Sequence, residues 1–301
     1  MKFPHVAVLM STFNGQTYLD DQISSILNQS GVCVSLLVRD DGSTDETTNI
    51  LDYYKNKRLL SWYVGDNLKP ARSFLHLLSH AKDAEYFAFS DQDDFWMPEK
   101  LKVATDMLSP FQDEPALYFC QTQLADSHLN MIETGRIHPL LTFGESLVYQ
   151  FVSGCTIVMN AKLREILNKY SPVFLPMHDV WIYVVAVGMG AKIVFDPESH
   201  ILYRQHGGNV VGQGFDKKTI WKRRFNRIVK NKEHIRFRLA QELKMGYSDI
   251  ITEANRQILD KFLSGQDSFL KRLSIMGDSR YKCANRSVYR NFLISVLLNT
   301  Y

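Results

Sequence analysis

Two nearly continuous apolar runs, 6–10 (VAVLM) and 34–38 (VSLLV), flank a segment in which Leu19, Ile23, Ile26 and Leu27 recur at helical spacing. Short β-branched runs without alternation mark strands buried on both faces, and the stripe between them marks an amphipathic helix. The chain therefore opens β-α-β, and a parallel sheet follows. After the second strand, Gly42 marks a turn and Ser43-x-x-Glu46 forms a capping-box pattern, which predicts a helix from about Thr44. A strand at Ser61–Val64, a helix at 71–80 and a strand at Tyr86–Ser90 continue the alternation. Downstream, 116–121 and 156–159 read as strands, 161–170 and 180–187 as helices, and 192–195 and 201–203 as two strands that close the sheet. The expected fold class is α/β, a mostly parallel Rossmann-like sheet flanked by helices.

From about residue 216 the pattern turns helical and basic, which places a boundary near Phe215 between a domain at 1–215 and a helical region at 216–301. The net charge of +3 conceals this asymmetry. Residues 217–244 hold eleven Lys or Arg and two Glu, leaving 24 basic against 30 acidic residues elsewhere. On a helical wheel Trp221, Phe225, Ile228, Ile235, Leu239 and Leu243 share one stripe, with Lys222, Arg223, Arg224, Arg227, Lys230 and Arg238 largely off it. Such a helix can dock on the domain, meet a partner, or make peripheral contact with an anionic membrane. No nucleic-acid recognition fold accompanies the basic residues, so no nucleic acid partner is expected.

The composition, 45% hydrophobic and 22% charged over 301 residues, is that of an ordinary globular chain. Cys33, Cys120, Cys155 and Cys283 lie far apart without a C-x-x-C pair, which points to reduced thiols rather than a zinc site or disulfide framework. The short N-terminal apolar stretch holds His5 and lacks a cleavable-signal layout, so the mature chain is expected to start there. The longest uncharged apolar candidate, 180–191, ends at Lys192, short of the roughly 20 residues a spanning helix needs.

Ligands of open α/β sheets bind outside the carboxyl ends of the strands. The polar "STFNG" after the first strand, Asp40 and Asp41 after the second, and Asp91, Asp93 and Asp94 after Tyr86–Ser90 all fall on that edge. Neither G-x-G-x-x-G nor a P-loop pattern occurs, so a phosphate bound here would need a divalent cation between it and the carboxylates. Aspartates spaced i, i+2 at a strand end can aim hard oxygens at Mg2+ or Mn2+. Asp-x-Asp by itself is also common in turns, and Asp94 before "FWMPEKL" fits a helix cap equally well. An EF-hand is excluded, because the required Gly and closing Glu are missing.

Five segments in order, "VLMSTFNG" (8–15), "LLVRDDGSTDET" (36–47), "FSDQDDFWMPEKL" (89–101), "VSGCTIVMN" (152–160) and "MHDVW" (177–181), resemble the inverting family 2 glycosyltransferases with the GT-A fold. "YRQHGGNVVG" (203–212) and the "SDQDD" form look most like bacterial rhamnosyltransferases of cell-surface polysaccharide synthesis. The resemblance implies transfer of L-rhamnose from dTDP-L-rhamnose, with Mn2+ or Mg2+, to a lipid-linked O-antigen or capsule acceptor. It also implies a place in the bacterial cytoplasm or at the inner face of its membrane. A UDP-hexose donor, a non-catalytic nucleotide- or carbohydrate-binding scaffold and a nucleotidyltransferase are the alternatives; the last would want a basic glycine-rich loop that "STFNGQTY" does not supply.

Carried over by resemblance, Ser11, Thr12, Phe13, Asn14 and Asp41 would hold the base and ribose, with Asp40 adjacent and Arg72 near the base and diphosphate. Arg72 reads equally as a solvated helix arginine. Asp93 would ligate the metal directly, Asp91 would face the ribose or the ion's waters, and His206 would complete the metal site. Inversion needs a base for the acceptor hydroxyl, and that position is Asp179, which also suits a helix N-cap. His178 and Trp181 belong to the acceptor side, Trp181 alternatively to the core. Gly154 and Cys155 would let the backbone approach the donor sugar; no role as nucleophile is expected of Cys155, since single displacement has no covalent intermediate. Gly207, Gly208, Gly212 and Gly214 suit a lid or an ordinary linker.

Overall fold

The computed structural model describes residues 3–206 and 234–301. The expected boundary near Phe215, the four glycines after His206, and Trp221, Phe225 and Ile228 of the basic stripe lie outside the described residues. Eight strands form one sheet in the order β3-β2-β1-β4-β7-β6-β8-β5. They are β1 (His5–Thr12), β2 (Cys33–Asp40), β3 (Ser61–Val64), β4 (Tyr86–Ser90), β5 (Phe95–Trp96), β6 (Ala116–Ala125), β7 (Val158–Asn160) and β8 (Lys192–Arg204). Strands β1 to β4 are mutually parallel where they pair, β7 runs antiparallel between β4 and β6, and β5 runs antiparallel to β8.

The apolar runs of β1 and β4 are buried on both faces, with successive residues serving different cores, whereas the expected second run, 34–38 in β2, leaves Ser35 exposed and only Leu36 and Val38 buried. In β1, Ala7 and Leu9 enter one cluster while Val6, Val8 and Met10 enter the other. In β4, Phe87 and Phe89 alternate with Tyr86 and Ala88 in the same way. The second cluster is closed by α1 (Leu19–Leu27), α2 (Thr47–Asn56) and α4 (Lys100–Leu108). The first lies under α3 (Lys69–His80), α5 (Phe143–Val148), α6 (Ala161–Leu167) and α7 (His178–Gly188).

Helix α7 is buried at every position. A helix apolar on all sides must be covered on all sides, and the C-terminal region supplies that cover. It consists of α8 (Ile235–Tyr247), α9 (Glu253–Ser264), α10 (Phe269–Met276) and α11 (Arg286–Leu297). Leu239, Ala240, Leu243 and Tyr247 of α8 join the same hydrophobic cluster as α7, together with Phe262, Tyr281, Phe292 and Tyr301. Buried Glu242 ties α8 to the chain before α7 by accepting from Tyr170 Oη (2.8 Å), Val173 N (3.0 Å) and Phe174 N (2.9 Å). Within the described residues, Leu239 and Leu243 of the expected basic stripe are therefore docked on the domain. Among the described residues no helix is long and apolar enough to cross a membrane.

Several local expectations are corrected. Helix α2 begins at Thr47 rather than Thr44, because Ser43 Oγ is taken by Asp40 and the cap contacts come from Asp45, which accepts from Thr47 N (3.1 Å) and Oγ1 (2.6 Å). Asp94 caps no helix: the short strand β5 follows it, and α4 starts at Lys100. The two closing strands are one, β8, whose pairing with β6 shifts register near Cys120 and Gln121. The bulged segment is polar, so the apolar pattern breaks where the strand does not.

Phe262 is fully buried among Tyr281, Phe292 and Tyr301, with ring centroids 5.1 to 6.0 Å away. Phe262→Ala is expected to lower unfolding free energy by about 3–5 kcal/mol. Calorimetry should show one cooperative transition moving down, because the C-terminal helices share the catalytic sheet's core; a separate early transition would contradict that packing.

Candidate active site

Strand register brings three loops to one rim. Thr12 pairs with Asp40 across β1 and β2, and Met10 pairs with Ser90 across β1 and β4, so the chain leaves all three strands side by side. In the first loop Asn14 takes the left-handed conformation (φ 49°), which Asn tolerates better than most residues. Phe13 is 47% exposed on this rim. An aromatic ring held there offers a base a stacking surface. Its backbone is clamped by Gln92, which accepts from Phe13 N (2.9 Å) and donates to Phe13 O (3.2 Å). A side chain at Gly15 would collide with the same Gln92 amide. The middle residue of Asp-x-Asp is thus a strut between two loops, a role whose partner lies 79 residues away in sequence.

The second loop is pinned from inside. Asp40 is fully buried and accepts from Thr12 Oγ1 (3.0 Å), Gly42 N (3.0 Å), Ser43 N (2.8 Å) and Ser43 Oγ. Gly42 takes φ 86°, so the turn itself requires glycine. Asp41 pairs with Arg39 and accepts from Ser73 Oγ (2.9 Å) and Leu68 N (3.0 Å), while Ser11 Oγ donates to Ser73 Oγ (2.7 Å). Both carboxylates are occupied within the protein. Asn14 Oδ1 accepts from Thr44 N (2.8 Å), joining the first loop to the second.

The third loop carries the charge. Asp93 Oδ2 lies 2.7 Å from His206 Nε2, and the His206 ring leans on Tyr18 at 4.8 Å between centroids. Asp94 is fully buried; one oxygen accepts from Arg204 N (3.2 Å), and Oδ2 has no partner among the described residues. Ligand atoms of Asp91, Asp94 and Cys155 lie within 4.8 Å of one another. Burial, then the charges of Asp93 and Asp179, push the Asp91 carboxyl up to about 7. Burial and the Asp91 and Asp93 charges hold Asp94 far above the usual carboxylate range. Burial likewise holds the Cys155 thiol protonated beside Asp94, which suits a packing role and not a nucleophile.

Two cations that single-sequence reading missed support this loop. Arg204, buried, donates to Asp93 O (2.8 Å), Ser127 O (2.6 Å) and Asp21 Oδ2 (3.1 Å), and its guanidinium lies 4.3 Å from the Tyr18 ring centre. Lys100, buried, sits 3.3 Å over the Trp96 ring, and burial lowers its ammonium to about 8 despite Cys120, Cys155 and Asp94 nearby.

Asp179 lies in the first turn of α7, with Oδ2 accepting from Gly154 N (3.1 Å) and Oδ1 from Val180 N (2.7 Å). Burial raises its carboxyl to about 6, partly offset by those two backbone donors. Asp179 is close enough for its charge to act on Asp91, so the expected base and the aspartate loop share the rim. The other expected residues fall behind it. His178 is buried between Phe74 (4.2 Å) and Phe89 (5.2 Å), and burial drives its pKa down to about 3, leaving a neutral ring. Gly154 is required by this ring, because a side chain there would strike His178 Nε2. Trp181 is fully buried against Tyr170 and Tyr247, the core alternative of its two readings. Arg72 donates to Val173 O (2.7 Å) beside a cavity of about 280 Å³ between α3 and the chain before α7.

The donor set fits a hard divalent cation. Asp91 and Asp93 would offer such an ion carboxylate oxygens and His206 an imidazole, while the ligand atoms already within 4.8 Å of one another among the described residues are those of Asp91, Asp94 and Cys155; Asp94 Oδ2 is unpartnered there, and the crowded carboxylates are short of positive charge. The protonated Cys155 is a poor ligand for Mg2+ or Mn2+.

The family model described as glycosyl transferase family 2 matches residues 7–169. The dTDP-rhamnosyl transferase RfbG of Shigella flexneri is 27% identical over 235 residues, spanning 71% of this chain and 77% of that protein. The solved structure of S. aureus TarS 1–349 in complex with UDP-GlcNAc aligns with a TM-score of 0.56 at 18% identity, covering 99% of this chain and 91% of that one. The mannosyltransferase PcManGT of Pyrobaculum calidifontis, in complex with GDP-Man and Mn2+, aligns with a TM-score of 0.56 at 14% identity, covering 100% and 86%. At these identities the two structures speak for the fold, while the family match spans more than half of the chain. The protein belongs to glycosyl transferase family 2 and carries the GT-A fold.

Proposed function

We propose that the protein is a metal-dependent inverting glycosyltransferase that moves L-rhamnose from dTDP-L-rhamnose to a hydroxyl of a lipid-linked bacterial surface polysaccharide. The observation that carries the reading is the meeting of Asp91, Asp93 and His206 with Asp179 on the carboxyl rim of the sheet, beside exposed Phe13. The relative RfbG, named a dTDP-rhamnosyl transferase, supports the donor. A UDP-hexose donor is the second reading, favoured by the fold neighbour solved with UDP-GlcNAc.

In this reading Asp91, Asp93 and His206 would hold a divalent cation, and the chemistry it would supply when bound is neutralisation of negative charge on the nucleoside diphosphate. Phe13 stacks on the base, and the loops of Ser11–Asn14 and Asp40–Asp41 shape its pocket. Asp179 takes the acceptor proton as the hydroxyl oxygen attacks the anomeric carbon opposite the leaving group. The Gly154 and Val180 amides orient the Asp179 carboxylate, and burial keeps it basic enough to accept a proton.

With purified protein, Mn2+ and a lipid-linked acceptor, dTDP release from dTDP-L-rhamnose should exceed nucleotide release from UDP-hexoses. Release from a UDP-hexose alone would transfer the assignment to that donor, and binding without any release would leave a scaffold. Asp179→Asn should lower kcat by about 10²- to 10⁴-fold with donor binding retained. Because burial raises Asp179 to about 6, the base is lost by protonation as pH falls, so wild-type kcat/KM should drop below about pH 6. An Asp179→Asn enzyme of unchanged rate would remove the base assignment.

A further inference from the structure

The strongest feature that the transfer chemistry does not use lies on the two C-terminal helices α10 and α11, which pack on each other. Their inward sides are Ile275, Phe292 and Val296, all fully buried. Their outward sides are also apolar. Phe269, Leu270 and Leu273 of α10 are 51%, 75% and 43% exposed, and Ile294, Leu297 and adjoining Leu298 of α11 are 44%, 44% and 57% exposed. Ile294, Leu297 and Leu298 follow i, i+3, i+4 spacing, a continuous stripe turned away from the core. Large apolar groups gathered on one surface mark an interaction site more often than scattered ones do.

Charge says what kind of surface meets it. Residues 269–298 hold six Lys or Arg (Lys271, Arg272, Arg280, Lys282, Arg286 and Arg290) and one acidic residue, Asp278. Asp278 pairs with Lys261 (2.7 Å) and Arg280 (2.6 Å), and Asp267 pairs with Lys271 (2.7 Å), so the positive charge without an acidic partner among the described residues is that of Arg272, Lys282, Arg286 and Arg290. Arg290 is exposed one turn before Ile294, on the edge of the apolar stripe. A symmetric dimer through this face would bring like charges together. An anionic bilayer offers both complements at once, acyl chains for the leucines and phosphate headgroups for the cations.

We propose that the outer face of α10 and α11 docks the protein on an anionic lipid surface, with Phe269, Leu270, Leu273, Ile294, Leu297 and Leu298 entering the headgroup–acyl boundary. The proposal does not depend on the donor or the metal. It assigns the membrane contact to a different segment from the basic stretch at 217–244, whose described Leu239 and Leu243 face the core.

The test is co-sedimentation of the full chain with phosphatidylglycerol–phosphatidylethanolamine vesicles and with phosphatidylcholine vesicles. The expected result is about tenfold stronger partitioning onto the anionic vesicles, weakened by salt. Leu270→Gln with Leu298→Gln should reduce that partitioning about tenfold, and Arg290→Gln about fivefold. All three sites are exposed, so the melting temperature should stay within a few degrees of wild type. A double variant that partitions like wild type would overturn the assignment, placing binding on another surface such as 217–244. Equal partitioning onto both vesicles would overturn it as well. So would a failure to sediment accompanied by a wild-type dimer that the double variant abolishes, which would give the face to a second copy.

Discussion

Four carboxylates, Asp91, Asp93, Asp94 and Asp179, share one partly dehydrated rim, and their mutual repulsion is the constraint around which the rest of the molecule is arranged. Water is a poor screen there, so Asp91 and Asp94 hold protons far more tightly than aspartates do in solution. The protein answers with buried cations that carry no catalytic task. The Arg204 guanidinium donates to the Asp93 carbonyl and the Arg204 backbone amide to the Asp94 carboxylate, and Lys100 sits on the face of Trp96. These contacts keep the carboxylates crowded without neutralising them one by one.

The aspartates after β2 belong to a different system. Asp40 satisfies the amides of its own turn, and Asp41 is joined to Arg39 and Ser73. Buried polar groups bonded this fully act as scaffolding, since freeing either would leave donors unsatisfied at a cost of about 1–3 kcal/mol each. Gln92 extends the scaffold by clasping the Phe13 backbone, which ties the first loop to the aspartate loop. Precision at the rim comes from this second tier of residues.

The C-terminal helices complete the enzyme in a less obvious way. Helix α7 presents Asp179 at its first turn and is buried at every position, so without the cover of α8 part of that helix would face water. The tail is part of the active-site architecture through packing alone. Its inner sides are spent on that task, and large apolar side chains on the outer sides of α10 and α11 stay exposed among the described residues.

The sequence alone determined the sheet's beginning, the edge where chemistry gathers and the family. Strands β1 and β4 are near-continuous apolar runs, and a run buried on both faces has no other pattern to show. The aspartates were legible because each cluster follows such a run directly. Tertiary structure decided what each of them touches. Asp40 and Asp41 look as available in sequence as Asp91 and Asp93, yet only contacts with Ser43, Ser73 and Arg39 remove them from the solvent side. Arg204 and Lys100 gave no local signal, since Arg204 meets Asp93 across 111 residues, and pairings over such distances follow the folded path of the chain. Strand β8 read as two because its bulge breaks the apolar period while the hydrogen-bond ladder resumes beyond it. His178 and Trp181 carried an apparent role by position, and burial assigned them to the core, where the neighbours of a helix, invisible in one dimension, set what its side chains touch.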